Sequence, residues 1–191
     1  TLSSSSAASD VYKRQAHKTL GAAHVAGIDV IVADHHQTGG GLPTCFALVN
    51  PRRADDTSGL GHLAAVGVTF LLVIAVNRAL RRSGYFDARD EPDVLGLLDM
   101  VALGTVCDVV PLQGLNRALV RQGLTVAAQT SNEGIRALAR VSRAAAQMGT
   151  YEFGFQLGPR LNAGGRVGEA SLGVRLLSTE SSEEASGFAM R

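Results

Sequence analysis

Cysteine is scarce: Cys45 and Cys107 are the only two in 191 residues, and they form no CxxC pair. That argues against a disulfide framework or a zinc ribbon and fits a reducing cytosol. An excess of charge of one sign is also lacking. Eighteen Lys and Arg against seventeen Asp and Glu leave a formal net charge of +1. Neutrality does not exclude a nucleic-acid partner, because a binding groove needs only local basic charge. No apolar run is long enough for a membrane. The longest, the 14 residues from Leu63 to Val76, stops at Asn77-Arg78. It falls short of the ~20 residues that span a bilayer and reads as a buried core helix. The N-terminus has no basic segment followed by an apolar block, so no signal peptide is expected, and no internal repeat is visible. What is left, 46% hydrophobic and 18% charged residues, suits a globular chain of one domain, or one domain and part of another.

The stretch that organises the chain is Gly27-Ile-Asp-Val-Ile-Val-Ala-Asp-His-His36. An apolar, β-branched run without polar alternation predicts a strand buried on both faces, as in a parallel α/β sheet. Ligands of such sheets sit at the carboxyl ends of strands, which is where Asp34, His35 and His36 fall. Carboxylate and imidazole together suit Mn²⁺, Mg²⁺ or Zn²⁺. A strand running into a polar turn explains the same residues without chemistry.

Residues Thr1 to about Gln15 are Ser/Ala-rich and without period. They look foreign, like read-through at the end of a translated contig, and are set aside from fold reasoning. The expectation is a natural chain cut before Ala16, with the end after Arg191 reading as cut too. Ala16 to Ala26 reads as a helix ended by Gly27. After the histidines, Gln37 to Pro43 is a loop whose three glycines permit close approach to a ligand or simply a flexible turn. Thr44–Val49 reads as a second strand closed by Asn50-Pro51, and Gly61–Arg82 as a helix whose terminal arginines favour its dipole. Pro92–Leu103 reads as the next helix. Gly104–Pro111 then reads as a short strand carrying Asp108, whose carboxylate, if buried among valines, needs a backbone cap or a metal.

Beyond Pro111 the periodicity predicts helices over Leu115–Ala128 and over Ser131–Ala144, with Ser131 as N-cap. Arg136, Arg140 and Arg143 form one stripe of the second helix, either a solvated face or a phosphate contact. Gly158 to Arg166 reads as a glycine-rich loop with Arg160, Asn162 and Arg166, residue types that hold phosphate oxygens through guanidinium forks and backbone N–H groups. Two short helices, Glu169–Leu177 and Glu183–Met190, end the chain.

Four blocks carry a family resemblance: Asp29–His36; Leu48-Val-Asn-Pro51 with Gly61–Gly67; Val101-Ala-Leu-Gly-Thr-Val-Cys-Asp-Val-Val-Pro111; and Phe155-Gln-Leu-Gly-Pro-Arg-Leu-Asn-Ala-Gly-Gly-Arg166. Their order and spacing resemble the DHH phosphoesterase superfamily over nearly all of Ala16–Arg191, and within it the RecJ family of single-strand-specific exonucleases. The third and fourth blocks are the more specific to that family. The resemblance implies an α/β parallel-sheet DHH domain, here its C-terminal part over residues 16–145, followed by a helical connecting segment over 146–191.

It also implies roles. His35 would be a metal ligand and Asp108 would bind the same ion. His36 would contact the scissile phosphate, with Asp34 orienting the imidazoles. Arg160, Asn162 and Arg166 would lie near the DNA path. Two Mn²⁺ or Mg²⁺ ions would flank the phosphodiester. The implied activity is a cytoplasmic 5′→3′ exonuclease on single-stranded DNA, serving repair and recombination.

Two departures qualify the resemblance. The run Ala163-Gly164-Gly165-Arg166 replaces the family's Ala-Ala-Gly-Arg, a small-for-small change. The family's N-terminal His-x-Asp-x-Asp block, a further aspartate, the DHHA1-type domain and the OB domain do not occur in this sequence. The chain alone is therefore expected to be inactive. The competing readings are a DHH phosphoesterase for oligonucleotides, cyclic dinucleotides or pyrophosphate, a non-catalytic scaffold, and a small-molecule-binding α/β domain.

Overall fold

The computed structural model describes residues 17–38, 41–145, 147–167 and 171–191. The foreign-looking residues 1–15 and the central glycines Gly39 and Gly40 lie outside them. The chain forms two compact units, Thr1–Gly61 and His62–Arg191.

In the first unit, helix α1 covers 17–25 and ends at Gly27, whose φ of 73° is the left-handed conformation that glycine adopts cheaply. Strand β1 (Ile31–Ala33) pairs in parallel with β2 (Ala47–Val49), in the register Ile31–Ala47, Val32–Leu48, Ala33–Val49. The pairing runs past the strands, with Phe46 N donating to the Val30 carbonyl at 2.9 Å and Asp34 N to the Val49 carbonyl at 3.0 Å. The mixed α/β class is therefore as the sequence implies. The burial is not: Ile31 is 56% exposed. Among the described residues the sheet has only these two strands, so apolar side chains that suit a two-sided core are not enclosed.

The second unit is helical. Helix α2 (Ala65–Arg82) ends at Ser83-Gly84 with Arg81 and Arg82 in its last turn. Where one helix over Pro92–Leu103 was expected, Asp93 caps a short 3₁₀ turn, Val94–Leu97, by accepting from the Leu95 and Gly96 amides at 3.0 and 3.2 Å. Helix α3 (Leu98–Cys107) follows directly. It overruns the predicted Gly104–Pro111 strand. The β-branched residues there favour a strand weakly, and tertiary packing overrides them. Thr105, fully buried, returns its hydroxyl to the Val101 carbonyl at 2.7 Å within the helix. A β-carbon on Gly104 would stand 3.0 Å from the Val66 side chain of α2.

Helix α4 (Gly114–Ala127) packs on α3, and α5 (Glu133–Ser142) follows. The cap of α5 is Asn132, not Ser131: its Oδ1 accepts from the Ile135 amide at 2.9 Å. Tyr151 leads into a π-helical turn, Glu152–Leu157, continuous with α6 (Gly158–Val167). The short helices α7 (Leu172–Ser178) and α8 (Ser182–Ala189) complete the unit. Its core draws Leu103, Val120, Ile135, Leu138, Phe153, Leu157 and Leu176 from five of these elements. Among the described residues no helix is long and apolar enough to cross a membrane.

Candidate functional site

The carboxyl end of β1 turns on a single side chain. Asp34 Oδ1 accepts from the His35 amide at 2.8 Å, the His36 amide at 3.2 Å and His36 Nδ1 at 2.7 Å. Asp34 thus folds the dipeptide after it around its own carboxylate and fixes one edge of the His36 ring. Burial alone would push the Asp34 carboxyl up. The hydrogen bonds from the His36 ring and from the two amides outweigh burial and hold it below its ordinary value. A carboxylate on Nδ1 makes that nitrogen the donor, which leaves Nε2 of the exposed His36 ring to face a ligand. His35 is half-buried, its ring edge-on to that of His36 with centroids 4.5 Å apart.

Asn50, which closes β2 and belongs to the Leu48-Val-Asn-Pro51 block, completes this turn. It is 3% exposed. Its Nδ2 donates to Asp34 Oδ2 at 3.3 Å and to the His36 carbonyl at 2.9 Å, while its Oδ1 accepts from the Arg52 amide at 2.8 Å. The signal for it was positional: in a parallel pair, the residue just past β2 lies on the same side as the residue just past β1.

The other predicted residues lie in the second unit. Asp108 is the C-cap of α3, its amide bonded to the Gly104 carbonyl at 3.0 Å, and not a residue at a strand end. It is exposed, so the argument that its burial demands a partner does not apply. Val109 beyond it takes a φ of 56° and is 87% exposed, which ends the helix. The Gly158–Arg166 run is helix α6 rather than a loop. Helical backbone spends its N–H groups on its own carbonyls, so phosphate recognition there falls to side chains. Arg160 and Asn162 are exposed on α6, and Arg166 is in its last turn, with its side chain outside the description. Of the arginine stripe, Arg136 pairs with Glu133 at 2.8 Å and Arg140 donates to the Ser186 hydroxyl at 3.2 Å.

Among the described residues no three His, Cys, Asp or Glu side chains converge to hold a metal ion. These residues alone do not fit a two-ion centre.

No protein-family model matches the chain. Individual proteins do. It is 48% identical over 165 residues to the single-stranded-DNA-specific exonuclease RecJ of Dickeya dadantii, covering 84% of this chain and 29% of that protein. To the Escherichia coli protein of the same name it is 44% identical over 173 residues, covering 88% and 30%. A crystal structure of exonuclease RecJ bound to manganese superposes with a TM-score of 0.75 at 34% identity, over 91% of this chain and 42% of that one. RecJ from Thermus thermophilus in complex with Mn²⁺ gives 0.69 at 36% identity, over 86% and 23%. The chain spans less than a third of the length of the curated relatives it matches. At these identities, over most of its length, this chain belongs to the RecJ family.

Proposed function

We propose that the chain is part of a metal-dependent 5′→3′ exonuclease that hydrolyses phosphodiester bonds of single-stranded DNA, in the cytoplasm, during repair and recombination. The observation that carries this reading is the Asp34–His36 contact of 2.7 Å, which presents a fixed imidazole at a strand end. Held through Nδ1, which donates to Asp34, His36 turns Nε2 toward the phosphate, and as the imidazolium it would donate from Nε2 to a phosphate oxygen as charge develops. Asp34 and Asn50 act through His36 and position it. His35 and Asp108 are the proposed metal ligands. Arg160, Asn162 and Arg166 are the proposed phosphate contacts.

RecJ structures hold manganese or magnesium. The same ions, bound in the longer protein, would supply Lewis-acid stabilisation and activated water. The described residues fall short of such a ligand set, so the 191-residue chain alone should not cut DNA.

The test is a graft. Residues 17–191 replace the matching segment of the E. coli relative, and the product is assayed with Mn²⁺ on 5′-phosphorylated single strands. Cleavage that His36→Ala abolishes supports the reading. Undiminished cleavage in that variant rules out the role given to His36. Faster turnover of dinucleotides or pyrophosphate than of long strands would move the assignment to another DHH phosphoesterase.

A further inference from the structure

The helical run from Tyr151 to Val167 has one face anchored in the core and one face without cover among the described residues. Phe153 and Leu157 are fully buried. The two glycines between and after them are where α3 comes closest. A β-carbon on Gly154 would stand 3.3 Å from Val106, and one on Gly158 would stand 2.7 Å from Cys107 Sγ. That contact fixes the rotation of the run. The π turn precedes Pro159, whose ring would clash with the carbonyl four residues back, at Phe155, in a regular α-helix.

With the inner face fixed, Tyr151 and Phe155 point outward, 61% and 73% exposed. Their rings are in contact, with centroids 5.2 Å apart and a 33° tilt. Two touching aromatic side chains in water forgo burial that would be worth a few kcal/mol, and such patches mark binding surfaces. The same run continues through Pro159, Arg160 and Asn162, all exposed. An aromatic pair followed by a guanidinium and an amide complements an unpaired strand, whose bases offer π faces and whose backbone offers phosphates.

We infer that Tyr151 and Phe155 form a base-stacking platform for single-stranded DNA, with Arg160, further along the same run, holding the backbone. The inference rests on the proposed nuclease reading and extends it. A duplex keeps its bases stacked inside and cannot use such a platform, so the face would contribute to preference for single strands.

The test is binding by the 191-residue chain, read by anisotropy of a labelled oligothymidine and of an abasic strand of equal length and charge. The base-bearing strand should bind at least about fivefold more tightly, the low end of what one stacked base contributes. Tyr151→Leu with Phe155→Leu should erase that preference while circular dichroism stays unchanged. Tyr151→Phe with Phe155→Tyr should restore it. Preference that survives the leucine pair, or is absent from the start, overturns the platform. His36→Ala, which in the graft abolishes cleavage, should leave the preference intact. A graft that fails to cut while its stacking persists would count against the nuclease reading and not against the platform.

Discussion

Asn50 holds Asp34 from the neighbouring strand. Its amide reaches both Asp34 Oδ2, at 3.3 Å, and the His36 carbonyl, at 2.9 Å. The histidine turn is therefore clamped from two sides, by the carboxylate within it and by an almost fully buried amide beyond β2. The proline after Asn50 fixes its own φ, and Asn50 Oδ1 is itself engaged by the Arg52 amide at 2.8 Å. The amide has little freedom to turn away.

Asn50→Ala should accordingly act through His36. In the graft it is expected to lower kcat about 10- to 100-fold, the range for residues that orient reacting groups. KM for the strand should change much less. An equal rise in KM with kcat preserved would show that Asn50 shapes substrate binding instead.

The Asp34 carboxyl sets an acid limit. Its folded-state pKa lies below the ordinary value, so the unfolded chain takes up the proton more readily than the folded one. The stabilisation is fully present above the unfolded value of about 3.9 and is lost as pH falls through the lower folded value. With a chelator present, NMR titration of the His35 and His36 amides should show a midpoint below about 3.9 that Asp34→Asn removes. A midpoint above that value would mean that burial outweighs the hydrogen bonds.

What could be read from the sequence divides along physical lines. The α1–β1–β2 order and the position of Asp34-His35-His36 follow from apolar periodicity and glycine punctuation, which are local signals. The end of α3 was not legible, because Thr105, Val106 and Val109 carry strand propensity. The helix there is set by contacts with α2 and with the Gly154–Gly158 run. For the same reason Gly158–Arg166 looked like a loop. Gly158 records the close approach of α3, not turning of the chain. The Asn50–Asp34 contact was not legible because the two residues are 16 positions apart. The mistaken cap at Ser131 was a one-residue error between two good capping side chains.

Gly123→Ala tests the α3–α4 crossing. A β-carbon there would stand 2.1 Å from the Leu98 carbonyl oxygen and 2.6 Å from Ala102 Cβ. Alanine gains up to about 1 kcal/mol of helix propensity. The overlap with rigid backbone is expected to cost more, at the upper end of the about 1–3 kcal/mol typical of overpacking. Urea unfolding of the second unit should show net destabilisation. A gain in stability would show that the two helices separate easily.

Asp99 is a carboxylate 3% exposed, with no cation beside it among the described residues. It accepts from the Met100 amide at 2.6 Å and from the Thr130 hydroxyl. The Thr130 oxygen in turn accepts from the Asn132 amide at 3.0 Å, and Asn132 Nδ2 donates to the Leu177 carbonyl at 2.9 Å. A chain of bonds thus runs from α3 through the α4–α5 turn to the end of α7. Thr130→Val keeps the shape of the side chain and removes the hydroxyl, leaving Asp99 one donor short at a cost of about 1–3 kcal/mol. Thr130→Ser should retain most of the stability. If the chain acts as a unit, Asp99→Asn and Thr130→Val measured singly and together by urea unfolding should be non-additive by about 0.5–3 kcal/mol. Strict additivity would mean that Thr130 and Asp99 each serve their own helix end and that α7 is held by apolar packing alone.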